Sequence, residues 1–370
     1  MTRVLFGFAL AFGLVVLAAR FFWGGGADYV FVAGTPAVDA QRLSDFQRFN
    51  QPPGSISVTA AGNIYFTVEP AARGDENKVM KIEDGIALPY PDAAVQQSLF
   101  DSPAAIFATD NLIYVLDHGN YGLNSAALHV FDSTKDSLER TIDLSSVAPL
   151  GSHLSDVVVT GDGKFALIAD AGTWRKEAAL LVVNLLTDKA DRALTGHAAI
   201  SAQNWRITPS EGPVQFFAGT LTWRPGLSSI AINPEETFLY LAATANDGLY
   251  RVPLDEVTSL SRQLDFAVER YSDKPLSGGI LALESGRMLV TDLNNHAVEL
   301  IKANRTITNL VQTTQIRWGT DLAILASGKL LIADSALPAY LLRGDSATEA
   351  GGPYFILELD GLSETVSRVE

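Results

Sequence analysis

The chain has 370 residues, 47% hydrophobic and 19% charged, with 42 acidic side chains against 27 basic ones and no cysteine. That length exceeds the roughly 250–300 residues at which one compact core stops growing, so it calls for two domains or one repetitive body. The net charge of −15 argues against a nucleic-acid partner, and the missing cysteines exclude disulfides, iron–sulfur clusters, thiolate zinc sites and a cysteine nucleophile.

In residues 1–23, Arg3 precedes an apolar stretch from Val4 to Ala19, Arg20 interrupts it, and Phe21 to Trp23 resume it. A positive start, an apolar centre and small residues near its end read as a secretory signal. The same span of about 20 residues also suits an uncleaved anchor across a ~30 Å hydrocarbon core. Both alternatives make the rest extracytoplasmic, periplasmic or secreted, with membrane contact only through this segment. Without Arg3 and Arg20 the remaining chain carries −17. Residues 24–50 form a lead segment containing the strand-like Tyr29–Ala33 (YVFVA).

From 51 to 362 one pattern recurs: a short apolar strand, a tight turn with Gly, Asp or Asn, a second apolar strand, then usually an acid. The copies span 56–69, 105–117, 157–170, 230–244, 280–292 and 322–334, their ends 48, 53, 74, 48 and 42 residues apart. A period of ~40–50 residues with such strands and turns is the signature of a β-propeller. The expected fold is therefore all-β, a six-bladed β-propeller. Its ring would close by pairing an N-terminal strand, Tyr29–Ala33, with Tyr354–Leu359 in the last blade, because an open ring leaves a bare strand edge. The widest gap holds an insertion, 188–226, with Trp205 and Phe216–Phe217 able to pack over one face. Residues 363–370 read as a C-terminal tail.

Several stretches resemble the major royal jelly protein and Yellow family: Ser155-Asp156-Val157-Val158-Val159 with Ala166–Asp170, Ala190–His197, Ser229–Asn233 with Leu249–Pro253, and Arg317–Asp321 with Ala333–Pro338. The match runs in order through most of 50–360. It implies the same six-bladed fold and, among the family's varied roles, amine binding or isomerisation in a pigment pathway. A looser similarity to the regucalcin and gluconolactonase group implies a divalent cation, Ca²⁺, in the central channel. The positions comparable to that group's Glu, Asn, Asn and Asp ligands are Ser55, Asp156, Ser228 and Gly278, with Asp321 added from the last blade. Only Asp156 and Asp321 are carboxylates, whereas calcium prefers six to eight oxygens.

A hairpin returns to its starting side, so residues before each first strand and after each second strand gather on one face. The inner set is Asp156 and Asp321, candidate ligand and metal contacts, because a charge facing a narrow pore needs a partner or a cation. The outer set includes Asp117, Asp170, Asp292, Asp334 and Asn294 as ligand-binding candidates, although a recurring Asp after a strand also caps its own turn. His153 and His118 are candidate catalytic bases. Trp318, beside Arg317, can stack on a flat ligand. Three functions follow as alternatives. The first is binding of a small polar or cationic ligand at the channel mouth. The second is a lactonase-like hydrolase, or an isomerase of a catechol-derived ring, using a bound cation or the two histidines. The third is an interaction scaffold contacting protein through 188–226.

Overall fold

The computed structural model describes residues 2–72, 77–342 and 351–369. Met1 of the leader, Glu370 of the tail, and 73–76 and 343–350 within the propeller span lie outside the described residues. Six four-stranded antiparallel sheets follow one another along the chain. The repeats of the sequence are the two inner strands of each. Blade 1 begins with Pro53–Val58, blade 2 with Pro103–Ala108, blade 3 with Leu154–Val159, blade 4 with Leu227–Ile232, blade 5 with Ile280–Ala282 and blade 6 with Gly319–Ile324. Second strands such as Leu112–Asp117 and Leu330–Asp334 are apolar along nearly their whole length because both faces are covered by neighbouring blades. The hairpins turn at Gly163 and Gly328, whose φ of +68° and +80° only glycine adopts without strain.

The core is divided among the seams between blades. Leu128, Ile142 and Ile168 join blades 2 and 3; Leu180, Leu227 and Leu241 join blades 3 and 4; Ile56, Phe66 and Leu331 join the last blade to the first. Each fully buried side chain of this kind contributes about 1.5–3 kcal/mol. A further cluster lies above the ring and holds Trp318, Leu337 and Tyr354 with Ile207 and Val214 of the insertion.

The ring closes between the chain ends, but through a different strand from the one expected. Leu43–Phe49, not Tyr29–Ala33, pairs antiparallel with Tyr354–Leu359. The reason lies in exposure: an outermost strand is covered on one side only, and the mixed sequence LSDFQRF suits that place. Tyr29–Ala33 instead crosses blade 5 as a strap. The amides of Asn294 and Asn295 donate to its carbonyls at Tyr29 and Phe31 (3.4 and 3.1 Å), and the Tyr29 hydroxyl donates to the Lys274 carbonyl (2.9 Å).

Residues Lys189–Ala193 form the outer strand of blade 3, so the insertion proper is 194–226. It lies across the face where the first strands start. The helix Thr2–Trp23 ends on the same face, where Trp23 Nε1 donates to the Trp174 carbonyl (3.1 Å) and Arg224 to the carbonyl of Gly24 (3.1 Å). Among the described residues no helix is long and apolar enough to cross a membrane. The expected tail is a helix, Leu362–Val369, with Leu362 and Val366 buried against blade 6.

Candidate functional site

One residue of each blade sits within or just after a register shift of the innermost strand, or just before that strand: Ser55, Ala105, Asp156, Ser229, Gly279 and Asp321. The equivalents in blades 4 and 5 are thus Ser229 and Gly279, one residue beyond those expected from the sequence. Each precedes an apolar residue whose backbone N–H must find an acceptor inside the ring. Ser55 Oγ accepts from Ile106 of the next blade (3.3 Å), and Ser229 Oγ from Ile280 (3.1 Å). Ala105 and Gly279 have nothing to offer, and the blades after them carry the aspartates. Asp156 accepts from its neighbour Val157 through Oδ1 (2.8 Å) and from Ile230 of blade 4 through Oδ2 (2.8 Å). Asp321 does the same for Leu322 (2.8 Å) and for Ile56 of blade 1 (2.9 Å). The six N–H groups are thereby satisfied, and the pattern serine, small residue, aspartate occurs twice around the ring.

These carboxyl groups are accessible only to the channel, deep within the ring. Burial pushes both upward, Asp321 to about 6, and the charge of Asp321 raises Asp156 further; the bonds from backbone N–H groups oppose the rise without cancelling it. Beside them His153 lines the same small pocket, of about 100 Å³. Its imidazole is pushed down to about 4, mainly by burial, so it is neutral at neutral pH. Its Nδ1 shares a 3.0 Å hydrogen bond with the Thr173 hydroxyl. Ser155, Ser228 and Thr320 add hydroxyls, and Trp223, Trp318 and Leu337 roof the pocket. The two indoles are 5.8 Å apart.

The structure therefore brings together Asp156, Asp321, His153 and Trp318, and leaves the other candidates outside the pocket. His118 is buried with its Nδ1 accepting from Tyr121 N–H (3.1 Å), which caps a short turn. Asp117 holds the N–H of Ser102 (2.8 Å), Asp170 that of His153 (2.8 Å) and Asp334 that of Trp318 (2.6 Å). In each case the acid after the second strand latches the residue leading into the first. Asp292 caps the turn at Asn294 and Asn295 (3.0 and 3.1 Å), and Asn294 Oδ1 holds Thr208 of the insertion (2.8 Å). These five residues each hold a backbone N–H at the mouth. Trp223 and Leu337 were not singled out in the sequence; an aromatic in an insertion long enough to fold over the face was the available signal.

The residues present do not make a calcium shell. Both oxygens of Asp156 and of Asp321 accept hydrogen bonds, the remaining ring positions offer two hydroxyls, Glu69 lines the pocket as a third carboxylate, and no cluster of three His, Asp or Glu among the described residues could hold a metal ion.

No family model and no curated protein matches this chain. Solved structures do match. A calcium-binding regucalcin from Agrobacterium tumefaciens is 16% identical, with a TM-score of 0.54 over 84% of this chain and 92% of that one. A luciferin-regenerating enzyme is 10% identical, with a TM-score of 0.55 over 86% and 95%. A gluconolactonase from Xanthomonas campestris is 12% identical, with a TM-score of 0.48 over 80% and 86%. None of these three is a Yellow or royal jelly protein. At such identities the likeness is one of fold, and the chain is a six-bladed β-propeller.

Proposed function

We propose that the protein is a metal-independent acid–base enzyme whose mouth pocket opens a small ring substrate of the lactone kind. One observation supports this reading: a single small pocket joins a neutral His153 to two carboxyl groups that burial raises toward neutral pH. A pair of this kind holds one proton where a lone aspartate would hold none. In hydrolysis, water attacks the lactone carbonyl and the ring C–O bond breaks. The ionised carboxylate takes the proton from water, and its protonated partner gives one to the departing alkoxide. His153 hydrogen-bonds the substrate, while Trp223 and Trp318 flank the ring. Chelator-treated protein should hydrolyse members of a γ- and δ-lactone panel with a bell-shaped pH profile. Asp321→Asn or Asp156→Asn should lower kcat by roughly 10²–10⁴-fold. Absence of turnover, or turnover only with added calcium, would overturn the proposal.

A second reading is favoured by the two indoles beside the carboxyl pair, which suit a small organic cation. Amine binding would then release a proton near pH 6, visible in calorimetry as a heat that depends on the buffer; a buffer-independent heat counts against it. We also propose an extracytoplasmic location, supported by the leader-like residues 1–23. Protection of the folded domain from external protease in intact spheroplasts would contradict it.

A further inference from the structure

The ring is open at both ends, and the ends differ. Away from the roofed mouth, the innermost strands bound a channel of about 760 Å³, well within the range of ligand cavities. Asp156 and Asp321 line this channel and the mouth pocket alike, so they stand where the two meet. Two residues beyond each ring position lie Ser57, Phe107, Val158, Ala231, Leu281 and Ala323, one from each blade, all lining the channel. Five of these six are apolar, and among the described residues no Lys or Arg reaches the lining. Further acids sit in the turns that line it, where Asp162 is paired with Lys164 (2.9 Å) and Glu236 accepts from Gly161 N–H.

The walls are uneven. Phe107 and Leu281 belong to blades 2 and 5, which face each other across a ring of six, and the facing pairs Ser57 with Ala231 and Val158 with Ala323 are smaller. Phe107 and Leu281 thus narrow the channel along one axis; apolar side chains from five blades share its wall with Ser57, Thr109, Thr160 and Asn233, and the paired carboxyl groups stand at its inner end. A compact ring satisfies the mouth pocket but leaves this volume unfilled.

We propose that the wide end binds the apolar body of a linear or flat amphiphile whose single polar head reaches Asp156 and Asp321. The chemistry at the head rests on the function proposed above; the binding of the body does not.

Full-length protein should bind the apolar fluorophore N-phenyl-1-naphthylamine saturably, and δ-dodecalactone, but not γ-butyrolactone, should displace it. Val158→Trp, at a partly exposed lumen position, should weaken binding at least about tenfold. Phe107→Ala, which widens the channel, should keep or tighten it. Trp223→Ala at the roof should leave it unchanged. Folding of each variant is checked by circular dichroism. Binding that is indifferent to both channel substitutions, or that responds only to Trp223→Ala, would overturn the proposal. Saturable binding without lactone turnover would sink the hydrolase reading and leave this one standing. Turnover of short and long lactones at equal kcat/KM would do the opposite.

Discussion

Asp321→Ala should loosen the seam between the last blade and the first. Alanine leaves the N–H groups of Ile56 and Leu322 without acceptors, at about 1–3 kcal/mol each, or about 2–6 kcal/mol together. That is a large share of the ~5–15 kcal/mol that holds most domains. Serine makes the sharper comparison. Ser55 and Ser229 occupy the same position and each bind the N–H of the next blade. Asp321→Ser should therefore restore the bond to Ile56, leave Leu322 unserved, and recover about half the loss. Protons supply a second handle. The folded carboxyl is raised to about 6, above the ~3.9 of an unfolded aspartate. A raised acid binds its proton more tightly in the folded state. Its contribution is thus complete below pH ~4 and lost as pH rises through about 6, a change of about 3 kcal/mol. The cost of alanine should be greatest at pH 4 and below, remain large at pH 4.5, and shrink toward pH 8, where it also removes a buried charge. Urea unfolding followed by tryptophan fluorescence across this range measures both effects. The reasoning fails if the alanine variant lies within about 0.5 kcal/mol of the parent at pH 4.5, or if serine is no better than alanine.

Glu299 is buried in blade 5, with its carboxyl pushed up to about 8 by burial. Its Oε1 and Oδ1 of its cross-strand neighbour Asn309 both have no hydrogen-bond partner. A proton on Glu299 provides the missing donor, and so would the amide of Glu299→Gln. The parent should lose stability as pH rises from ~4.3 through about 8 while the variant does not; parallel melting curves in both would contradict this. Arg192 binds the fully buried Asp170 at 2.9 Å. Arg192→Leu should cost about 3–5 kcal/mol by stranding that carboxylate, and adding Asp170→Asn should recover much of it. Equal chemical denaturation midpoints for the single and double variants would refute that account.

The six blades were legible because strands covered on both faces must be apolar almost throughout, as in IYVLD and LLIAD. The closing strand was not, because LSDFQRF faces solvent on one side and shows no such run. Asp156 and Asp321 were placed correctly at the channel by the direction of the hairpins. Their service to the following blade could not be read, since it depends on a register shift inside each hairpin and on partners 74 and 265 residues away in the chain. The recurring Asp117, Asp170 and Asp334 illustrate the converse. Their repetition favoured a structural turn over a ring of ligands, but their service as latches on Ser102, His153 and Trp318 appears only in the fold. Histidine alone did not distinguish a pocket wall from a cap, as His153 and His118 show.

Closure through Leu43–Phe49 also sets an order of assembly. That strand has its partner about 300 residues later in the chain, so the first segment to be made is among the last to be paired. Contacts of such separation carry a high loop-closure cost and slow folding. Until the C-terminal strand arrives, blade 6 lacks its third strand and Leu43–Phe49 has nothing to pair with. Loss of Leu43–Phe49 or of Tyr354–Leu359 therefore reaches the same blade, and a chain cut there has no intermediate ring to fall back on.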